Sequence, residues 1–246
     1  MNVVLLGSGG YFPTSQRQTS CVLLPDVGVV LDAGTGVSRL GKYLRTERLD
    51  VFLTHAHLDH VAGLTYLINV VPAEVARNTT VHGEAVKLAA IREHVFSELI
   101  FPVAPTFRLE PLDGIHPLPD GGSLSHFGLK HPGGSIGFRL DWPRHSMAYV
   151  TDTIADPNAD YVHHIRGVDL LIHEAYFVGD AGDLPSITGH SCLSAVVEVA
   201  AAAGVGRLVL VHIDPNVESS PEVDMHKARR VFEKTEFGFD GMEMEF

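Results

Sequence analysis

Four side chains that bind metals fall within six residues in Thr54-His55-Ala56-His57-Leu58-Asp59-His60: His55, His57, Asp59 and His60. They come directly after the apolar run Val51-Phe52-Leu53. A strand ending there delivers all four into one loop. Imidazole nitrogen and carboxylate oxygen suit zinc and its first-row neighbours. A solvated polar turn is the plainer reading, but packing does not explain the cluster, since buried His and Asp must find partners. Further His and Asp residues stand at the ends of apolar runs downstream: Asp152 after Val150, His173 after Ile172, His212 after Val211, and His131 just past Leu124 to Leu129. Strand ends along one sheet edge gather in space, and catalytic groups commonly sit on such loops.

The elements that must position these groups can be read in order. Asn2 to Leu6, Thr19 to Leu24 and Val27 to Leu31 read as strands, the last two joined at Pro25-Asp26, a hairpin signal. The turn Gly7-Ser8-Gly9-Gly10 fails the dinucleotide pattern, because Phe12 stands at the third glycine and no helix pattern comes after it. Asp32 closes the third strand, as a surface turn residue or as a partner orienting a ligand His. Val37 to Arg45 and Gly63 to Val71 are expected helices. Gly83 to Leu99 has helical periodicity, with Val86, Ala89, Val95 and Leu99 near one face. Short strands fill Phe107 to Asp141, and further strands cover Met147 to Val150, Val168 to Ile172 and Leu208 to Val211. A helix over Ser191 to Ala203 stops at Gly204. A last helix is expected with Ser220 as N-cap, Pro221 first and Glu222 in its first turn.

The chain has 246 residues, 45% hydrophobic and 20% charged, and a formal net charge of −12. One domain spanning 1–246 is expected, with no linker or repeat. The acidic balance argues against a general nucleic-acid binder. Cys21 and Cys192 make no disulfide framework and read as buried thiols. The N-terminus lacks the basic region of a signal peptide, and no apolar run is long enough to span a membrane, so a cytoplasmic protein is expected.

His55-Ala56-His57-Leu58-Asp59-His60 resembles the H-x-H-x-D-H signature of the metallo-β-lactamase superfamily. The resemblance implies an α/β fold, an αββα sandwich of two mixed sheets flanked by helices, carrying a two-metal hydrolase site. Residue by residue, it implies that His55, His57 and His131 hold one divalent ion, zinc or manganese. Asp59, His60 and His212 hold the second, and Asp152 bridges both. Two divalent cations outweigh Asp59, Asp152 and one hydroxide in formal charge, so the site stays net positive and suits a phosphodiester. A dimetal-bridging hydroxide is the implied nucleophile.

Three further stretches are similar to the ribonuclease Z branch. Leu6-Gly7-Ser8-Gly9-Gly10 with Pro13 and Arg17 resembles its opening. Leu171-Ile172-His173-Glu174-Ala175 resembles its H-E-A-T motif, with Tyr176 for Thr. Gly189-His190-Ser191 resembles its H-S-T motif, with Cys192 for Thr. By that likeness Glu174 orients His190, and His190 is the general acid; capping of the next helix is the alternative for His190. The tRNA-gripping arm of bacterial ribonuclease Z lies between the motifs matching His131 and Asp152, where this chain has only a hairpin. Most of the chain, including Phe239-Asp240-Gly241-Met242-Glu243 at the end, is similar to the phosphoribosyl cyclic-phosphate phosphodiesterases, but the cysteines of their structural zinc are not matched beyond Cys21. The expected activity is hydrolysis of a small or cyclic phosphodiester or a nucleotide. The alternatives are a ribonuclease Z-type RNA 3′-processing endonuclease, a lactone or carboxyl-ester hydrolase, and a metal-dependent binding protein. tRNA is not the expected partner, no membrane is, and a homodimer is the expected assembly. Gly133-Gly134-Ser135-Ile136-Gly137 fits G-x-S-x-G, yet Ile136 to Leu140 reads as strand, where a nucleophile elbow needs a helix.

Overall fold

The computed structural model describes residues 1–179, 181–217 and 222–246. The chain forms two compact units, Met1–Gly114 with Phe239–Glu245, and Ile115–Gly238. Each is built on one seven-stranded mixed sheet flanked by helices. The boundary falls at Asp113-Gly114, a turn in which Gly114 takes φ 61°.

The first sheet contains β1 (Asn2–Gly7), β2 (Cys21–Leu24), β3 (Val29–Leu31), β4 (Leu49–Phe52), β5 (Thr79–Gly83), β6 (Arg108–Pro111) and β14 (Glu243–Glu245), in the order β14-β1-β2-β3-β4-β5-β6. β14, β1, β2 and β3 pair antiparallel, whereas β3, β4, β5 and β6 are parallel. Its helices are α1 (Leu40–Tyr43), α2 (Leu58–Val61), α3 (Leu67–Val70), α4 (Ala73–Arg77) and α5 (Ala85–Ala90). Val4, Leu6, Leu23, Val30 and Val51 of the sheet pack with Leu40, Leu64, Leu67 and Leu88 of the helical layer.

The second sheet holds β7 (His116–Leu118), β8 (Gly122–Leu129), β9 (Ser135–Trp142), β10 (His145–Val150), β11 (Leu170–Glu174), β12 (Leu208–Val211) and β13 (Thr235–Phe237), in the order β13-β12-β11-β10-β9-β8-β7. β7 to β10 pair antiparallel and β10 to β13 parallel. Its helices are α6 (Tyr161–His164), α7 (Leu184–Thr188), α8 (Leu193–Ala203) and α9 (Glu222–Val231). Leu193, Val196, Val197 and Ala200 of α8 recur at helical spacing and are buried with Ala148, Leu171 and Leu208 of the sheet. α8 stops where Gly204 turns left-handed at φ 63°.

Several sequence expectations need correction. Gly83 to Leu99 is not one helix with Val86 and Leu99 inward. α5 passes into a π turn over Ile91–Val95, the buried residues are Leu88 and Ile91, and Val86 and Leu99 are 73% and 95% exposed. The apolar count overlooked that a π turn shifts the period away from 3.6. Val37 to Arg45 is a 3-10 turn followed by the short α1, and Gly63 to Val71 is broken between a 3-10 turn and α3. The break in Gly63 to Val71 accompanies a close backbone approach: a Cβ on Gly63 would lie 2.1 Å from the Gly34 oxygen, and Gly63 N–H donates to Ala33 O at 2.8 Å. Cys21 is buried, and burial pushes its thiol well up, but Cys192 is only half-buried. The Ser220 and Pro221 capping assignment lies outside the described residues. Among the described residues, no helix is long and apolar enough to cross a membrane.

Candidate functional site

In the first unit the parallel pairing of β3 and β4 sets Leu31 opposite Phe52, so both strands leave the sheet at the same edge. Asp32 and Thr54 meet there as a result. Asp32 Oδ1 accepts the Thr54 N–H at 2.8 Å and the Thr54 hydroxyl at 2.9 Å. Its Oδ2 lies 2.8 Å from His60 Nδ1, with both side chains fully buried. A carboxylate only accepts, so this contact puts the ring proton on Nδ1 and the lone pair on Nε2. The Thr54 hydroxyl gives its proton to Asp32 and therefore accepts from His55 Nδ1 at 3.0 Å, which turns the His55 lone pair to Nε2 as well. The His55 ring lies 4.5 Å from His57 and 4.2 Å from His60. His60 Nε2 and Asp59 Oδ2 are 3.4 Å apart. Asp59 Oδ2 also accepts the N–H of Tyr11, at 2.9 Å. Gly34 lets this loop seat against the Asp32 turn, since a Cβ there would meet Asp59 O at 2.2 Å.

In the second unit β10, β11 and β12 run parallel, and Asp152, Glu174 and His212 stand at their carboxyl ends. The two oxygens of Asp152 face different imidazoles. Oδ1 lies 3.4 Å from His212 Nε2, and Oδ2 lies 3.5 Å from His131 Nε2. These separations are long for hydrogen bonds. They match two donors sharing one tetrahedral cation, which at bond lengths of about 2.1 Å stand roughly 3.4 Å apart. His131 Nδ1 donates to Gly189 O at 2.9 Å, which leaves its lone pair on Nε2, and burial pulls its pKa below the usual histidine value. Both features favour the neutral, ligating form.

Glu174 is fully buried. Its Oε1 accepts Thr153 N–H at 2.7 Å, and its Oε2 accepts Ser191 N–H at 3.2 Å. His190 Nδ1 sits 3.3 Å from Oε1. The His190 ring packs near Asp152 and His212, and ligand atoms of these three all lie within 4.8 Å of one another. His173, though also a strand-end His, is not part of this group. Alternation along β11 turns it to the opposite face from Glu174. Its Nδ1 donates to Glu174 O at 2.7 Å and its Nε2 accepts from Tyr161 Oη at 3.1 Å. Ser135 of the G-x-S-x-G stretch is the first residue of β9, buried, with its hydroxyl donated to Asp152 O at 2.7 Å. It has neither the exposure nor the adjoining helix of a nucleophile.

Among the described residues, five that are not glycine take left-handed φ: Tyr11, Asp32, Asp120, Asp152 and His212. Four of them belong to these two clusters. Such conformations cost about 1–3 kcal/mol each and persist where surrounding contacts enforce them. Sequence reasoning missed Tyr11, Thr54, Thr153 and the Gly189 carbonyl, because three of these act through backbone groups that no residue type announces. Thr54 alone offered a signal, as a hydroxyl beside the first ligand His.

Residues 28–213 match the family described as the beta-lactamase superfamily domain. The ribonuclease Z of Haloarcula marismortui is 25% identical over 300 aligned positions, covering 99% of this chain and 96% of that protein. Among solved structures, the metallo-beta-lactamase fold protein YhfI from Bacillus subtilis superposes with a TM-score of 0.81 at 21% identity, covering 99% of each chain. A diphosphatase from the PhnP family superposes at 0.74 with 18% identity, over 100% of this chain and 97% of that one. With the match spanning most of its length, the chain belongs to the metallo-β-lactamase superfamily.

Proposed function

We propose that this protein is a two-metal phosphodiesterase acting on a small or cyclic phosphodiester or a nucleotide. The observation that carries the reading is the Glu174–His190 pair beside the paired contacts of Asp152 with His131 and His212. His55, His57 and His131 would hold one ion, Asp59, His60 and His212 the other, and Asp152 both. This donor set of neutral imidazoles and carboxylates suits zinc, with manganese the alternative. When bound, the ions supply an activated water and offset charge developing on the phosphoryl oxygens.

The chain's own residues do the rest. Asp32 and Thr54 fix the tautomers of His60 and His55. Glu174 holds His190 from behind, and His190 delivers a proton to the departing oxygen. Asp152 and Asp59 are the anionic members of the set. The experiment is a substrate screen on protein of measured metal content. Bis-p-nitrophenyl phosphate should be hydrolysed well above a lactone and ester panel, and chelator should abolish the rate. Faster turnover of a lactone would overturn the reading in favour of carboxyl-ester chemistry.

A second reading, an RNA 3′-processing endonuclease, is favoured by the ribonuclease Z likeness along nearly the whole chain. Two features weigh against it. β9 and β10 close directly through Pro143-Arg144, with Trp142 opposite His145, so no arm is inserted there. The net charge of −12 also opposes the polyanion. Cleavage of a precursor tRNA with a rate falling steeply in salt would establish this second reading.

A further inference from the structure

Tyr176 stands where the resembling motif has Thr, and the structure gives that departure a location. The half-buried Tyr176 ring lies nearly parallel to the His190 ring, with centroids 4.8 Å apart and planes 20° from one another. It also meets His212 at 5.8 Å, and Phe177 packs edge-on against it at 5.1 Å. Aromatic pairs at this separation attract, and the parallel arrangement restricts rotation of both rings.

The carboxylate behind His190 does not restrict that rotation by itself. Glu174 makes its short hydrogen bond, 2.7 Å, to Thr153 N–H, whereas its contact with His190 is 3.3 Å. A single long contact at Nδ1 does not by itself fix the imidazole plane against turning about its outer torsion. The His212 and His131 rings also lie near it, each with centroids 5.1 Å away, at 25° and 57° to its plane. The Tyr176 face is nearer and more nearly parallel than either, and the backbone holds it in place. Phe177 N–H donates to Ser191 O at 3.1 Å, and Leu193 N–H donates to Phe177 O at 2.8 Å. The segments carrying Tyr176 and His190 are thus stitched together one residue beyond each ring.

We propose that Tyr176 is a positioning residue for His190: its ring face sets the imidazole plane, and Glu174 sets only the direction of Nδ1. The proposal rests on the reading of His190 as the proton donor, but it makes a structural claim of its own. Tyr176→Thr should lower kcat about tenfold on bis-p-nitrophenyl phosphate with KM within about twofold, and Tyr176→Phe, which keeps the ring, should restore kcat. Tyr176→Leu serves as the ring-less variant if the Thr form folds poorly.

The second readout is NMR of the metal-loaded protein with labelled histidine. The His190 Hε1 resonance should move in the ring-less variants, through loss of the Tyr176 ring current, and stay in Tyr176→Phe. An unmoved resonance with unchanged kcat in the ring-less variants overturns the proposal and leaves the phosphodiesterase reading intact. A Phe variant as slow as the Thr variant also overturns it, since the hydroxyl would then be the working group. If the wild-type protein hydrolyses no phosphodiester but the resonance behaves as described, the functional reading fails and the positioning role stands.

Discussion

The two units place their candidate ligands in opposite ways. In the first, four donors come from one hexapeptide after β4, and side chains brace them: Asp32 alone binds Thr54 and His60, and Thr54 passes the constraint to His55. In the second, each donor comes from a different strand end. The bracing there is largely backbone, through the Gly189 carbonyl on His131 and the Thr153 and Ser191 N–H groups on Glu174. Both sheets share a plan, antiparallel on one side and parallel on the other, with the hexapeptide, Asp152 and His212 at the carboxyl ends of parallel strands and His131 beyond the antiparallel β8. Such ends are where open α/β sheets place their ligands. One unit uses the plan to present a single dense loop, and the other to converge dispersed residues.

The comparison makes Asp152 the most consequential single side chain, because its two oxygens serve different imidazoles. Asp152→Ala should remove both ions and bring activity to background, whereas Asp59→Ala should cost one ion and retain the other. Metal content by elemental analysis beside turnover checks this pair. Equal loss of both ions from the two variants would break the distinction between a bridging and a terminal carboxylate.

Next in size is His190. His190→Ala should keep both ions and slow turnover by about 10²–10⁴, the range for a lost general acid. Its closeness to Asp152 and His212 allows a different role, as a ligand. Stoichiometric metal in the purified variant sustains the acid assignment, and stripped metal transfers His190 to the ligand set.

The bracing in the first unit predicts a smaller effect. Asp32→Asn keeps the shape but offers one acceptor where the carboxylate offered two, so His60 and Thr54 compete for it. Metal affinity should fall by about 10–100-fold, the usual cost of losing a group behind a ligand. Competition with a chromogenic chelator reads this directly, and an unchanged affinity would mean that the His60 tautomer needs no enforcement.

These differences also explain what the sequence disclosed. The hexapeptide is legible because its donors are neighbours, and the flanking apolar run marks its strand. His131, Asp152 and His212 are legible only as polar residues closing apolar runs, and the same rule admits His173, which alternation turns the other way. Asp32 stood as an open choice between turn residue and partner until β3 and β4 were seen side by side, since a parallel register is a long-range fact. The order of strands in each sheet, the π turn after α5 and the left-handed Tyr11 have no residue-type signature at all.

The finest contrast between the units is how each buries ionisable groups away from the ligands. In the first, Asp50 is buried, which alone would raise its pKa, but hydrogen bonds from His82 at 3.0 Å and Arg48 at 3.0 Å outweigh burial and hold it below 3.8. In the second, burial keeps His173 below 6.5 and Tyr161 well above 10.0, so both stay neutral. The signs come from linkage. A depressed carboxylate stabilises fully above its unfolded value and loses that contribution as pH falls below 3.8. A depressed imidazole also favours folding above its unfolded value, and its contribution declines as pH falls below 6.5, because the unfolded chain then takes up the proton first. Acidification should therefore remove the His173 contribution before the Asp50 contribution. Amide protection on β11, corrected for the intrinsic exchange rate, should fall between roughly pH 6.5 and 5, while the Asp50 contribution to β4 and β5 holds until pH approaches about 4. His173→Gln removes the titrating ring, so its stability at pH 7 should drop by about 1–3 kcal/mol while the slope between those pH values flattens. A slope unchanged by this substitution would assign the acid sensitivity elsewhere, and earlier loss of protection in β4 than in β11 would reverse the order of the two contributions.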